Sequence, residues 1–398
     1  MRIAIDIRSL QTTSAWRGVG VYTEQLVRSL MQIDKSNEYI LLCSSRRKLP
    51  DLPEEIGRKI VPLRRPGRGI TVWDQLFSYR SLKKMKVDIF HSPFYATPLA
   101  VSGAVGLVQT IHDLTPILFK GSTSLKHRMI FNINFHCARY ADKIIAVSEN
   151  TKKDIVRVLG IPEDKIAVIY NGIDHLPVPY PGGKRPDQDI REMERPYLLY
   201  VGGLDRVKNV PVLIQAFGKI LKKYDHMKLL IVGADCEKLI SLMKRTDWRG
   251  SGPPESSREF ASLCESLLRS GRMVLKGYLG KDELLSCYRE AELFVFPSLY
   301  EGFGLPPLEA MSAGVPVIAS GRASLPEILG DAAIYVNPED PDELAALVDR
   351  VLSDDALKEK MKLAGVKRAG EFRWERTARM TLDLYEALHE MKKSRAER

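Results

Sequence analysis

The sequence predicts an α/β protein built from two doubly wound parallel-sheet domains. Three observations carry that prediction. Short, β-rich apolar runs alternate with helix-length patterns along almost the whole chain, the rhythm of a parallel sheet covered on both faces. The alternation stops once, after Asn171-Gly172, and restarts at Tyr197. Finally, 398 residues at 44% hydrophobic composition exceed one comfortable core and suit two of ordinary size.

The first domain, residues 1–175, opens on the strand IAIDI. It continues through YILLC at 39–43, VDIF ending at Phe90, VGLVQTI at 105–111, KIIAVS at 143–148 and KIAVIY at 165–170. Residues 176–195 are rich in Pro, Gly and charge, which marks a linker. In the second domain, 196–375, YLLYVGG at 197–203 is followed by a helix opening after Asn209-Val210-Pro211. Next come KLLIVGA at 228–234, RMVLKGY at 272–278, ELFVFPS at 292–298 and VPVIAS at 315–320. The Gly, Pro and Ser content of 247–259 predicts an exposed loop. Residues 376–398 read as an amphipathic terminal helix and tail, with apolar residues at 380, 382, 384, 385, 387, 388 and 391.

Composition excludes disordered, collagen-like and membrane-embedded classes. No run of eighteen apolar residues and no signal-peptide pattern is present. Five cysteines form no C-x-x-C pair, arguing against a disulfide framework or a zinc knuckle. A cytoplasmic protein, in part peripheral on the inner face of a membrane, is the expectation. The net charge of +10 lies wholly in residues 1–175, with 26 basic and 16 acidic residues, whereas the remainder carries 34 of each. It is densest from Arg58 to Lys86, including Arg64, Arg65, Lys83 and Lys84, a solvated basic face or a dock for an anionic membrane surface. Nucleic acid is not expected as a partner.

Chemistry is expected beyond the carboxyl ends of the strands, in the cleft between two such sheets. Glu301-Gly302-Phe303-Gly304-Leu305-Pro306-Pro307-Leu308-Glu309 follows the strand ELFVFPS directly. Two prolines suit a first helical turn, and the glycines let the amides of Phe303, Gly304 and Leu305 face an anion at the helix N-terminus. A diphosphate fits there, with Glu301 and Glu309 accepting hydrogen bonds from hydroxyls of a sugar and a ribose. A second strand-to-helix loop, Val201 to Asn209, supplies Gly203 for close approach and the cations Arg206 and Lys208 for phosphate oxygens.

In the first domain, Arg17-Gly18-Val19-Gly20 precedes a helix but lacks the third glycine of a dinucleotide fingerprint, which is Thr23 here. It reads as a loop closing over a phosphate or an acceptor, or as a plain turn. His112, ending the strand VGLVQTI and followed by Asp113, is a candidate for contacting a sugar hydroxyl or carrying protons. His91 is a weaker one. The D-x-D triplets, Asp187-Gln188-Asp189 and Asp340-Pro341-Asp342, fall in the linker and at a helix entry. With no well-placed acid cluster and a basic pair to supply the charge, neither a metal nor any other cofactor is predicted.

These motifs resemble the retaining glycosyltransferases of family four, with the GT-B fold of two Rossmann-like domains facing a central cleft. The resemblance covers essentially the whole chain and is sharpest at Glu301 to Glu309, which looks like the family's Glu, seven residues, Glu motif. It implies that Glu301 holds the transferred sugar, Glu309 the ribose, and the 303–305 amides the sugar and diphosphate. Arg206 and Lys208 look like the diphosphate-binding pair, His112 like the sugar-contacting histidine, and Gly18 like the N-terminal glycine loop, where the family often has a doubled glycine and this chain has Arg17. It further implies a nucleotide-sugar donor on the second domain and a glycan or lipid-linked acceptor on the first. R-G-V-G-V-Y, I-H-D-L-T-P and E-G-F-G-L-P-P-L-E look most like bacterial mannosyltransferases of surface-polysaccharide assembly. GDP-mannose is the expected donor and a UDP-hexose the alternative. A nucleotide-sugar epimerase, a phosphorylase-like enzyme using pyridoxal phosphate and a non-catalytic nucleotide-sugar binder remain open.

Overall fold

In a computed structural model of the chain, the described residues are 1–12, 18–44, 60–63, 82, 84–94, 105–119, 125–174, 196–243 and 257–397. The predicted linker, most of the 247–259 loop, Arg17 and nearly all of the Arg58 to Lys86 cluster lie outside them. The chain divides into two compact units, Met1–Gly172 with Phe372–Arg398, and Ile173–Glu371.

Seven described strands form the sheet of the first unit: β1 (Arg2–Asp6), β2 (Glu38–Ser44), β3 (Ile60–Leu63), β4 (Ile89–Ser92), β5 (Gly106–Ile111), β6 (Lys143–Ala146) and β7 (Ile166–Val168). They pair in the order β3-β2-β1-β4-β5-β6-β7, every pair parallel. The interior strands are buried along their length, as expected where both sheet faces are covered. Helix α1 (Gly18–Ile33) lays Tyr22, Leu26 and Leu30 into the core with Ile3, Ile5 and Leu41.

The terminal helix completes that core. It runs over Trp374–Ala396 and buries Trp374, Ala378, Leu382, Tyr385 and Leu388 among the same residues. The chain before it passes so close to its start that a Cβ on Gly172 would lie 2.2 Å from the Trp374 backbone nitrogen. Only glycine fits there.

The second unit contains β8 (Tyr197–Val201), β9 (Lys228–Val232), β10 (Met273–Lys276), β11 (Leu293–Phe296), β12 (Val317–Ser320) and β13 (Ile334–Val336). Their order is β10-β9-β8-β11-β12-β13, again parallel throughout. Leu199, Phe217, Leu230, Phe294 and Ile318 are among its fully buried residues. Strand order reverses between β8 and β11, and such a switch point opens a crevice at the carboxyl ends of the two strands. Two parallel, doubly wound sheets are therefore what the alternation predicted. Edge strands β3 and β13 were not read from the sequence.

Candidate functional site

The loops leaving β8 and β11 carry the two motifs of the second unit, so the switch point brings them together. After β8, the Tyr200 hydroxyl donates to the Gly203 carbonyl at 2.8 Å, which fixes the glycine pair. Burial, followed by the negative charges of Glu301 and Asp205, keeps that hydroxyl protonated. The chain then makes one tight turn at Arg206–Lys208 and reaches Asn209, a non-glycine residue at φ 54°. Asn209 is fully buried, and its side-chain amide donates to the carbonyls of Pro297 (3.2 Å) and Pro338. The Leu299 amide donates to the Val207 carbonyl at 2.7 Å. The cationic turn is thus tied by three hydrogen bonds to the loops after β11 and β13.

That anchoring puts Lys208 Nζ 2.6 Å from Glu301 Oε1 and 5.5 Å from the centre of the Phe296 ring. The ion pair is mostly shielded, with side-chain exposures of 24% and 13%. Arg206 is partly buried on the same turn.

Glu301 begins the second motif. Gly304 caps helix α2 (Leu305–Ser312) at φ 104°, with prolines in the first turn. An L-residue is strained at that φ, and an added Cβ would also meet Leu325 Cδ2 at 2.7 Å. The Ser324 hydroxyl lies 2.9 Å from the Glu301 carbonyl and 3.0 Å from that of Phe303. Because the peptide group is planar and trans, drawing both carbonyls toward Ser324 turns the amides of Gly302 and Gly304 the other way. A helix N-terminus follows directly at Leu305, the kind of position whose backbone amides and dipole favour an anion.

One turn into α2, Glu309 Oε2 accepts from the Tyr288 hydroxyl at 2.8 Å. Burial raises the Glu309 carboxyl above the usual range; the Tyr288 hydrogen bond opposes that shift, the Asp174 charge adds to it, and Lys281 offsets part. The carboxylate therefore has one oxygen committed to Tyr288.

In the first unit, His112 follows β5 and is 8% exposed. Burial lowers its pKa to about 4, against the opposing pull of its hydrogen bond to Pro93. Nε2 lies 2.8 Å from the Pro93 carbonyl, and a carbonyl only accepts, so Nε2 carries the proton and the neutral ring presents Nδ1 as an acceptor. Asp113 Oδ1 accepts from the Thr115 amide at 2.8 Å, a turn-forming role. Gly18 is the exposed first residue of α1. At the place of the missing third glycine, the Thr23 hydroxyl donates to the Val19 carbonyl at 2.8 Å and accepts from Ser9 at 2.9 Å.

The structure gathers Gly203, Arg206, Lys208, Glu301, Phe303, Gly304, Leu305 and Glu309 at one switch point, while Gly18 and His112 belong to the other unit. Sequence reasoning missed Asn209, Tyr288 and Ser324. Only Asn209 left a signal, as a residue tolerant of left-handed backbone between a basic turn and a Pro-bearing helix start. Asp340, of the second acidic triplet, caps the helix Pro341–Ser353 by accepting from the amides of Asp342 and Glu343. Among the described residues, no three His, Cys, Asp or Glu side chains cluster as a metal site, and no helix is long and apolar enough to cross a membrane.

Comparison with known proteins places this geometry in context. Residues 16–175 match the family described as Glycosyltransferase Family 4, and residues 184–368 match Glycosyl transferases group 1. The uncharacterized glycosyltransferase MJ1607 of Methanocaldococcus jannaschii is 31% identical over 71% of this chain and 70% of its own length. The O-antigen chain mannosyltransferase B of Escherichia coli is 27% identical over 93% of this chain and 96% of its own. Among solved structures, the sucrose-phosphate synthase of Thermosynechococcus elongatus superimposes with a TM-score of 0.73 at 21% identity, covering 98% of this chain and 99% of that one. Anabaena HepE, solved with UDP and glucose, gives 0.72 at 16% identity over 97% and 100%. Both likenesses are of fold, the GT-B architecture.

Proposed function

The chain belongs to glycosyltransferase family 4, and from that premise we propose that it moves a hexose, mannose from GDP-mannose, with retention of anomeric configuration to a glycan or lipid-linked glycan acceptor of surface-polysaccharide assembly. The observation that carries the reading is the Lys208–Glu301 pair, held at the β8/β11 switch point beside the helix N-terminus that Gly304 caps. It sets a cation and an acceptor side by side, which is what a sugar joined to a diphosphate requires.

In this reading, the amides of residues 303–305, Arg206 and Lys208 bind the donor diphosphate and stabilise the charge that develops as the sugar–oxygen bond breaks. Glu301 accepts from hydroxyls of the transferred hexose and Glu309 from the ribose. His112, with Nδ1 free of a proton, accepts from a sugar hydroxyl. The acceptor hydroxyl attacks from the face that the diphosphate leaves, and the departing phosphate oxygen takes its proton. The Arg206–Lys208 charges serve where a metal would, so turnover proceeds in chelator.

Mannose as the transferred sugar is supported by the Escherichia coli relative at 27% identity along nearly the whole chain. The basic first half supports a cytoplasmic protein that touches an anionic membrane surface. Incubating the protein with GDP-mannose, chelator and a panel of glycan and lipid-linked acceptors tests the reading, with the new linkage assigned by NMR. An α-mannosyl product is expected. Transfer from a UDP-hexose alone would replace the donor while keeping the site, free altered nucleotide sugar without acceptor would indicate an epimerase, and donor binding with neither transfer nor hydrolysis a non-catalytic binder.

A further inference from the structure

Tyr385 lies in the middle of the terminal helix and is fully buried. Its hydroxyl is 2.5 Å from His91 Nδ1 on β4, and the two rings meet edge-on at 5.7 Å. The other ring nitrogen, Nε2, lies 2.8 Å from Thr110 Oγ1 on β5. Thr110 in turn shares a 3.0 Å hydrogen bond with the Tyr22 hydroxyl of α1. Tyr22, His91 and Thr110 are, like Tyr385, completely buried.

This chain ends against the strand-end histidine. The Tyr22 ring packs edge-on to the His112 ring at 4.8 Å and 83°, and Thr110 lies near the end of β5, two positions before His112, which follows the strand. Nε2 of the same imidazole is held by the Pro93 carbonyl at 2.8 Å. Burial, with His112 as a lesser influence, lowers the His91 pKa to about 3, so its neutral ring has one donor and one acceptor nitrogen, each matched to a hydroxyl. Position 385 lies in a core made otherwise largely of apolar side chains. A buried hydroxyl there is costly unless paired, and its partner is the first member of a chain leading to His112.

We propose that Tyr385 is a positioning residue for the His112 imidazole, acting through the buried hydrogen-bonded chain His91, Thr110 and Tyr22. The terminal helix is then part of the strand-end site of the first unit and fixes where the His112 ring stands. The catalytic side of this inference rests on the transferase reading; its structural side does not.

The test combines a double-mutant cycle with a spectroscopic readout. Tyr385→Phe is expected to lower kcat for transfer about fivefold with donor affinity unchanged. In a His112→Ala background the same substitution is expected to change kcat less than twofold. Imidazole 15N signals of His112 are expected to move in Tyr385→Phe and in Thr110→Val but to stay in place in Thr110→Ser, which keeps the hydroxyl. An equal fivefold loss in both backgrounds, or His112 signals unmoved in both Tyr385→Phe and Thr110→Val, overturns the proposal. Should the wild-type protein transfer no sugar, the transferase reading fails by itself, and the His112 signals still decide whether the chain positions the ring.

Discussion

At the Glu309 carboxyl the two oxygens differ: Oε2 accepts from the Tyr288 hydroxyl and Oε1 does not. Because burial raises its pKa above the ordinary glutamate value, protonation sets in at higher pH than for an exposed carboxylate. If the ionised form accepts the ribose hydroxyls, donor affinity holds above that raised pKa and falls as pH drops through it. Glu309→Gln is expected to lower affinity at neutral pH by about tenfold, roughly 1.4 kcal/mol, and to flatten the acid limb. Titrating donor from pH 8 down to pH 5 checks this, and an identical pH profile in wild type and variant argues against the assignment. Glu301, Glu309, Arg206 and Lys208 were legible because their motifs are contiguous in sequence. Ser324 and Tyr288 were not, since each works through a partner 21 to 23 positions away, a distance that no local pattern records; Asn209 showed its tolerance of left-handed backbone but not its partners 88 and 129 positions away.

Between elements, the turn from α1 to β2 is organised by one carboxylate. Asp34 Oδ1 accepts from the Ser36 amide and hydroxyl at 2.9 and 2.8 Å, and Oδ2 from Asn37 Nδ2 and the Tyr39 hydroxyl at 2.8 and 2.7 Å. Burial pushes its pKa up, but the hydrogen bonds from Tyr39, Asn37 and Ser36 outweigh burial and hold it well below the usual carboxylate value. A depressed folded-state pKa adds stability above the unfolded value of about 3.9, lost as pH falls below it. Asp34→Ala is expected to cost about 2 kcal/mol at pH 7, with a smaller deficit at pH 3, measured by urea unfolding; an equal deficit at both pH values would remove the electrostatic explanation. Most elements were legible from apolar runs bounded by turn residues. Strand β3 escaped because Pro62 interrupts it, which is tolerable only at a sheet edge. Strand β13, three residues at an edge of the second sheet, was not read either.

For the molecule as a whole, the sequence predicts a first domain ending at 175 and a separate amphipathic terminal helix and tail over 376–398. In the structure the first unit closes at Gly172 and regains Phe372–Arg398. The apolar stripe of the terminal helix was legible, but which core it completes was not, because amphipathicity states that a face is buried and not against what. Leu382, 3% exposed in the core of the first unit, separates the two units experimentally. Leu382→Ala is expected to cost about 3 kcal/mol and to lower the melting of the first unit, while donor raises that of the second by binding its folded state. Differential scanning calorimetry reads both, and a single transition moved alike by mutation and ligand would contradict independent cores.

The central claim is that the β8/β11 switch point holds a nucleoside diphosphate sugar through Lys208 and its neighbours. Calorimetric titration of GDP, UDP and ADP, then of the mannose and glucose conjugates of the preferred nucleotide, into wild-type protein and Lys208→Ala in chelator tests it most directly. Metal-free binding with preference for GDP and GDP-mannose is expected, weakened at least tenfold in Lys208→Ala. No binding of any nucleotide, or equal affinity in the two proteins, would contradict it.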